Sequence, residues 1–241
     1  MNKSQILPSR RNLFQLFVIC VLFLSLLSGC QGGQKDTLKH IAVLVSGSIR
    51  SETVNGFLDG MADLGWVEGQ DFVAEIYTAD GDHDELVDLA QQIVESLPDV
   101  AIAAGGIEAD SLKLATMESQ IPVVFLAVSS AVERGLVASR RSSGNNLTGV
   151  DTNDADLTAK RLELISQILP EAKRVLMLNV PGNTPSMKAV ESARQVATSL
   201  GVTLSVVDVE SEAEIVAVAA QIRSEDIDAI LLFLERSSGS I

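Results

Sequence analysis

The sequence predicts an α/β fold with parallel sheets arranged as two similar lobes. Three observations carry that expectation. Short runs rich in Val, Ile and Leu alternate with segments whose apolar residues recur at helical spacing. Polar loops bearing Gly or Ser follow several of the strands. The order strand, polar loop, helix, Leu-Gly, strand, helix, Asp-led strand also occurs twice, with Leu64-Gly65 matched by Leu200-Gly201 and Asp99-Val100 by Asp228-Ala229.

Taken in order, the chain opens on a leader. Lys3, Arg10 and Arg11 form a basic segment, and Leu13 to Leu27 is an apolar run shorter than the roughly 20 residues a transmembrane helix needs. Ser9-Arg10-Arg11-Asn12-Leu13-Phe14 resembles a twin-arginine motif, although two arginines in an ordinary leader are the favoured reading before so apolar a run. Leu27-Ser28-Gly29-Cys30 resembles a bacterial lipobox, which implies a diacylglycerol thioether on Cys30 as the first mature residue. The expected division is a signal peptide over 1–29, a polar tether over 30–39, an N-terminal lobe over 40–150 and a C-terminal lobe over 151–241.

In the first lobe, Ile41 to Val45 reads as a strand buried on both faces, and Ser51 as the cap of a helix ending at Gly65. Phe72 to Tyr77 is a strand, Asp84 to Leu97 a helix stopped by Pro98, and Val100 to Ala104 a strand leading through Gly105-Gly106 into a helix to about Met117. Pro122 to Ala127 is a fourth strand, Ala131 to Ala138 a short helix, and Leu147 to Val150 a fifth strand. In the second lobe, helices over 156–169, 186–200 and 212–223 alternate with strands over 174–178, 203–209 and 229–234. The second lobe reads as incomplete, because seven residues follow its third strand where the first lobe has two more strand units.

Composition narrows the function. Residues 1–29 hold three basic residues and no acidic one, so the rest carries 15 Lys and Arg against 32 Asp and Glu, a net charge of −17. Nucleic acid and anionic membrane both demand basic patches, so neither is the expected ligand. Without the leader the only cysteine is Cys30, so no disulfide is expected. Two histidines, His40 and His83, give no metal-ligand spacing, and no cofactor or metal is expected. The sequence contains no G-x-S-x-G, no G-x-x-x-x-G-K-[ST] and no H-E-x-x-H, and its carboxylates are scattered, so catalysis is not expected.

In an open parallel sheet, ligands bind beyond the carboxyl ends of the strands. Candidate loops are Ser46-Gly47-Ser48, Gly105-Gly106-Ile107-Glu108 and Ser129-Ser130, where small residues, free N–H groups and helix N-termini favour a carboxylate. Phe125, near the end of the fourth strand, is the aromatic best placed to touch a ligand, with core packing the leading alternative.

Several stretches then resemble one family. Gly56-Phe57-Leu58-Asp59-Gly60 followed by Leu64-Gly65-Trp66-Val67-Glu68-Gly69 is similar to the F-x-x-G…L-G-Y-x-E-G-x-N stretch of the TrpX-like group of ABC-transporter substrate-binding proteins. Ile121 to Phe125, Gly135-Leu136-Val137, Asn146 to Val150, Leu162 to Ile165, Leu169-Pro170 and Pro181-Gly182 continue the resemblance. It implies a type I periplasmic-binding-protein fold whose two lobes close on a small molecule and deliver it to a membrane permease. It adds Asp151-Thr152 and Val180 to Asn183 to the candidate pocket, so the expected ligand residues are Ser46, Gly47, Ser48, Gly105, Gly106, Glu108, Ser129, Ser130, Asp151 and Asn183. The sequence departs from the family at Ser130-Ala131, at Val180 and at Leu234-Glu235-Arg236, so the ligand does not transfer. The expected function is a lipid-anchored, extracytoplasmic binding protein for a small carboxylate-bearing solute, an amino acid among the candidates. An extracytoplasmic sensor for a membrane signalling partner would use the same lobes.

Overall fold

The computed structural model describes residues 38–233; the leader, Cys30, nearly all of the tether and the stretch from Leu234 onward lie outside the described residues, as does the His83 side chain. Five strands form one parallel sheet: β1 (Lys39–Val45), β2 (Phe72–Thr78), β3 (Val100–Ala103), β4 (Val123–Val128) and β5 (Leu147–Asp151), in the order β2-β1-β3-β4-β5. Helices α1 (Ser51–Asp63), α2 (His83–Glu95) and α3 (Gly106–Ala115) connect the first four strands. A second parallel sheet holds β6 (Arg174–Asn179), β7 (Thr203–Asp208) and β8 (Ala229–Leu231) in the order β7-β6-β8, with α4 (Asp154–Ile168), α5 (Thr184–Ala197) and α6 (Glu212–Gln221).

The continuous apolar run of β1 follows from helices on both faces. Ala42 and Leu44 join Leu86, Ile93 and Leu112 of α2 and α3 in one cluster. Ile41, Val43 and Val45 point the other way, onto Val54 of α1. In the second sheet Val175 and Met177 pack with Leu162 of α4 and Ala189 and Ala193 of α5. Among the described residues no helix is long and apolar enough to cross a membrane.

The internal repeat reappears as topology: β2-β1-β3 and β7-β6-β8 are the same arrangement, down to one clasp in each. Asp99, just before β3, accepts from the His40 N–H at 2.8 Å and from Lys39 Nζ at 3.0 Å, while its own N–H donates to the His40 carbonyl at 2.9 Å. Asp228, just before β8, accepts from the Lys173 and Arg174 N–H groups, each at 2.8 Å, and from the Arg174 guanidinium, while its N–H donates to the Arg174 carbonyl at 2.8 Å. The His40 N–H and then the Lys39 ammonium hold the Asp99 carboxyl below the ordinary carboxylate range. The Arg174 guanidinium, with the Lys173 and Arg174 N–H groups, holds Asp228 far below it. A carboxyl with a depressed folded pKa stabilises the fold above its unfolded pKa of about 3.9, and that contribution is lost as pH falls through the folded value. The variant carrying Asp99→Asn and Asp228→Asn should therefore lose stability less steeply than the wild type between about pH 5 and pH 2. Parallel curves of denaturation midpoint against pH would contradict this.

Two local expectations are corrected. Ser51 does not cap α1; its hydroxyl donates to the Ser48 carbonyl at 2.7 Å within a 3₁₀ turn over Ser48–Arg50. Residues 131–138 form turns rather than a helix, because Ser130 (φ 59°) and Gly135 (φ 70°) are left-handed and close the chain after one turn.

Candidate functional site

The strand order reverses between β1 and β3, so the loops leaving these two strands flank a crevice at the carboxyl edge of the sheet. The β1 loop carries Ser46, whose N–H donates to Glu108 Oε1 at 2.9 Å across the crevice. Glu108 lies in the first turn of α3 and its side chain is fully buried. Arg50, in the turn after β1, brings its Nε to 3.6 Å from the same Glu108 oxygen.

Gly105 and Gly106 explain how two long cations fit here. A Cβ on Gly105 would lie 2.5 Å from Arg50 Cζ, and one on Gly106 would lie 2.9 Å from Arg134 Cζ. Both guanidinium groups thus rest on bare backbone at the N-terminus of α3. Arg134 donates to Asp110 Oδ2 at 2.7 Å and to the Ser129 carbonyl at 3.3 Å. Burial pushes the Asp110 carboxyl up, against the pull of the Arg134 charge. The rim continues to β5, where Asp151 accepts from the Ala131 N–H at 3.0 Å and the Asn153 N–H at 2.8 Å. Beside the β1 loop lies a hollow of about 270 Å³, lined among others by Val45, Gly47, Ser48, Val54, Thr78 and Asp80.

Two properties set this edge apart. Ser46 Oγ, Arg50 Nε, Glu108 Oε2, Ser129 Oγ and Thr152 Oγ1 are buried without a hydrogen-bond partner among the described residues. A buried polar atom left unpaired costs about 1–3 kcal/mol, and all five of these lie in or beside loops that leave the strands of the first sheet. The backbone is also held in left-handed conformations at Asp80, Ser130 and Asn153 (φ 47°, 59° and 57°), after β2, β4 and β5. Strain of this kind persists where surrounding contacts enforce it, as at ligand clamps.

Of the residues expected from sequence, Ser46, Gly47, Gly105, Gly106, Glu108, Ser129 and Ser130 are buried along this one rim. Ser48 is exposed beside them, and the Asp151 carboxylate pins the 130–131 turn to the end of β5. Asn183 lies on the second sheet, where its Oδ1 accepts from the Ser186 N–H at 2.9 Å and caps α5. Phe125 is buried in the first core and packs against Gly149. Arg50, Arg134 and Thr152 are the additions. The only sequence signal for the arginines is that basic residues are scarce in so acidic a chain and these two fall beside the candidate loops.

A further set of charges crosses from the first sheet to the second. Lys188 of α5 pairs with Glu133 of the β4–β5 connection and with Asp156 of α4 at 3.0 Å, and Asp156 also pairs with Arg140 at 2.9 Å. Arg140 in turn donates to Asn153 Oδ1. Partial burial opposes charge at both Asp156 and Lys188, but the paired charges win: Lys188 and Arg140 hold the Asp156 carboxyl low, and Glu133 and Asp156 hold the Lys188 ammonium high.

Residues 40–238 match the family model described as ABC transporter substrate binding protein. A tyrosine-binding protein of Clostridioides difficile is 27% identical over 179 residues, which cover 68% of this chain and 51% of that protein. Among solved structures, an ABC domain from Streptococcus pneumoniae in complex with L-Trp is 25% identical with a TM-score of 0.73, covering 83% of this chain and 66% of the other. A conserved domain protein from Vibrio cholerae is 28% identical with a TM-score of 0.71, covering 80% and 64%. The chain thus spans about half the length of its curated relative and about two thirds of these two structures. The fold is that of the type I periplasmic binding proteins, and with the match over residues 40–238 the chain belongs to the ABC transporter substrate-binding proteins, a family defined by solute binding rather than by catalysis.

Proposed function

We propose that the chain is the solute-binding component of an ABC importer, working outside the cytoplasm, tethered by lipid on Cys30 and delivering its solute to a membrane permease. A lobe of residues 40–150 and a lobe of residues 151–241 close on a small carboxylate-bearing solute, an amino acid foremost, without making or breaking a covalent bond. The observation that carries this reading is the set of buried, unpartnered polar atoms at the carboxyl edge of the first sheet, Ser46 Oγ, Arg50 Nε, Glu108 Oε2, Ser129 Oγ and Thr152 Oγ1. A guanidinium, hydroxyl groups and the N-terminus of α3 are donors that a carboxylate accepts from. The loop of Val180 to Asn183 after β6 supplies the facing surface. The names of the relatives, tyrosine-binding and in complex with L-Trp, support an amino acid as the first solute to try.

Thermal unfolding of the full chain in mild detergent, scanned against amino acids, small peptides and nucleosides, tests this. A solute at a hundred times its dissociation constant stabilises by about 2.7 kcal/mol, a rise of roughly 5–10 °C for a chain of this size. A chain that no solute moves, or that turns a solute over, defeats the proposal.

A further inference from the structure

We infer that Glu108 reads a protonated nitrogen on the solute, so that the site accepts zwitterionic amino acids and rejects their deaminated or acylated counterparts. This rests on the solute-binding reading above and assigns the residue that decides which carboxylates enter.

Glu108 is the third residue of α3, counting from Gly106. A glutamate there ordinarily turns back to the N–H of the capping residue. Instead it reaches across the crevice, where Oε1 takes the Ser46 N–H and Oε2 takes nothing. Arg50 approaches on the side of Oε1, at 3.6 Å, too far for a hydrogen bond. A buried carboxyl oxygen left without a hydrogen-bond partner is costly. Donors are not lacking in the neighbourhood, since Ser46 Oγ and Arg50 Nε are themselves buried and unpartnered. Three buried atoms without hydrogen-bond partners thus sit on two neighbouring loops, Ser46 Oγ and Arg50 Nε after β1 and Glu108 Oε2 at the start of α3.

A solute that carries both signs satisfies all three. An ammonium group donates to Glu108 Oε2 and to Ser46 Oγ, while a carboxylate accepts from Arg50. A carboxylate without the ammonium would set two negative charges side by side in a dry crevice, which is repulsive. A quaternary ammonium offers no N–H to donate. An N-acylated amine loses its charge.

The test screens the twenty common L-amino acids on the full chain in detergent, L-tyrosine and L-tryptophan first. The tightest is then compared with its desamino acid and its N-acetyl derivative by thermal shift and by titration. The expected result is that both derivatives bind roughly 10–100-fold more weakly, the range for losing a hydrogen bond to a buried charge. Glu108→Gln keeps the shape of the side chain and should weaken the amino acid by a similar factor while narrowing its margin over the desamino acid. A change in that margin is something a merely structural role would not produce. If the wild type binds the desamino acid as tightly as the amino acid, or binds only solutes without a protonated nitrogen, the inference falls and solute binding stands. If Glu108→Gln leaves the margin intact, the inference also falls. If no solute of any class shifts the chain, the solute-binding reading fails, and this inference with it.

Discussion

Gly149→Ala should cost the fold about 3 kcal/mol or more. Gly149 sits opposite Phe125 in the β4–β5 ladder, and a Cβ there would lie 2.1 Å from the Phe125 carbonyl oxygen and 2.4 Å from its ring. Neither neighbour can yield cheaply. The carbonyl belongs to a strand paired on both sides, and the Phe125 ring is buried among Val123, Leu136 and Leu147. The ladder is already irregular, with a register shift between Phe125 and Val128, so β5 has few pairings to spare. Denaturant unfolding should show a lower midpoint at unchanged slope. A loss below about 1 kcal/mol would mean that β5 moves aside freely. The damage should also reach the site, because Asp151 at the end of β5 holds the turn of Ser130 and Ala131.

Gly105→Ala should do the opposite, sparing the fold and injuring binding. The three atoms nearest its Cβ would all belong to the Arg50 guanidinium, with Cζ at 2.5 Å, and this is the far end of a flexible side chain. The Gly105 backbone is extended, which alanine adopts without strain. Stability should therefore change by less than about 1 kcal/mol, while Arg50 is driven from its seat beside Glu108. Losing a charged donor to the solute corresponds to roughly 2 kcal/mol, or about thirtyfold in affinity. Titration of the best solute against Gly105→Ala and Arg50→Ala should give matching losses. Full affinity in both variants would remove Arg50 from the binding site.

The contrast between the two glycines shows what a sequence conveys. The repeat was legible because its signals are local: apolar runs, Leu-Gly ends and an aspartate leading β3 and β8, which proved to clasp β1 and β6 in the same way. The loops after β1, β3 and β4 were legible as strand ends because Gly and Ser stretches follow the apolar runs. The arginines were not, since a side chain with four rotatable bonds does not declare its direction in the pattern around it. Residues 131–138 misled for a related reason: their composition suits a helix, but the left-handed Ser130 and Gly135 answer to Arg134, Asp151 and β5 rather than to their neighbours. Helix α6 shows the remaining gap, for its apolar residues predict a helix correctly although none of them is buried among the described residues.

The charges of Glu133, Lys188, Asp156 and Arg140 alternate in sign along a line that joins the two sheets, and all four side chains keep contact with water. Links of that kind answer to the surrounding medium: at about 0.15 M ionic strength charges are screened beyond roughly 8 Å, and in dilute solution they act several times farther. A protein working outside the cytoplasm meets salt that the cell does not regulate. Fresh water grips the joint between the sheets and brine slackens it.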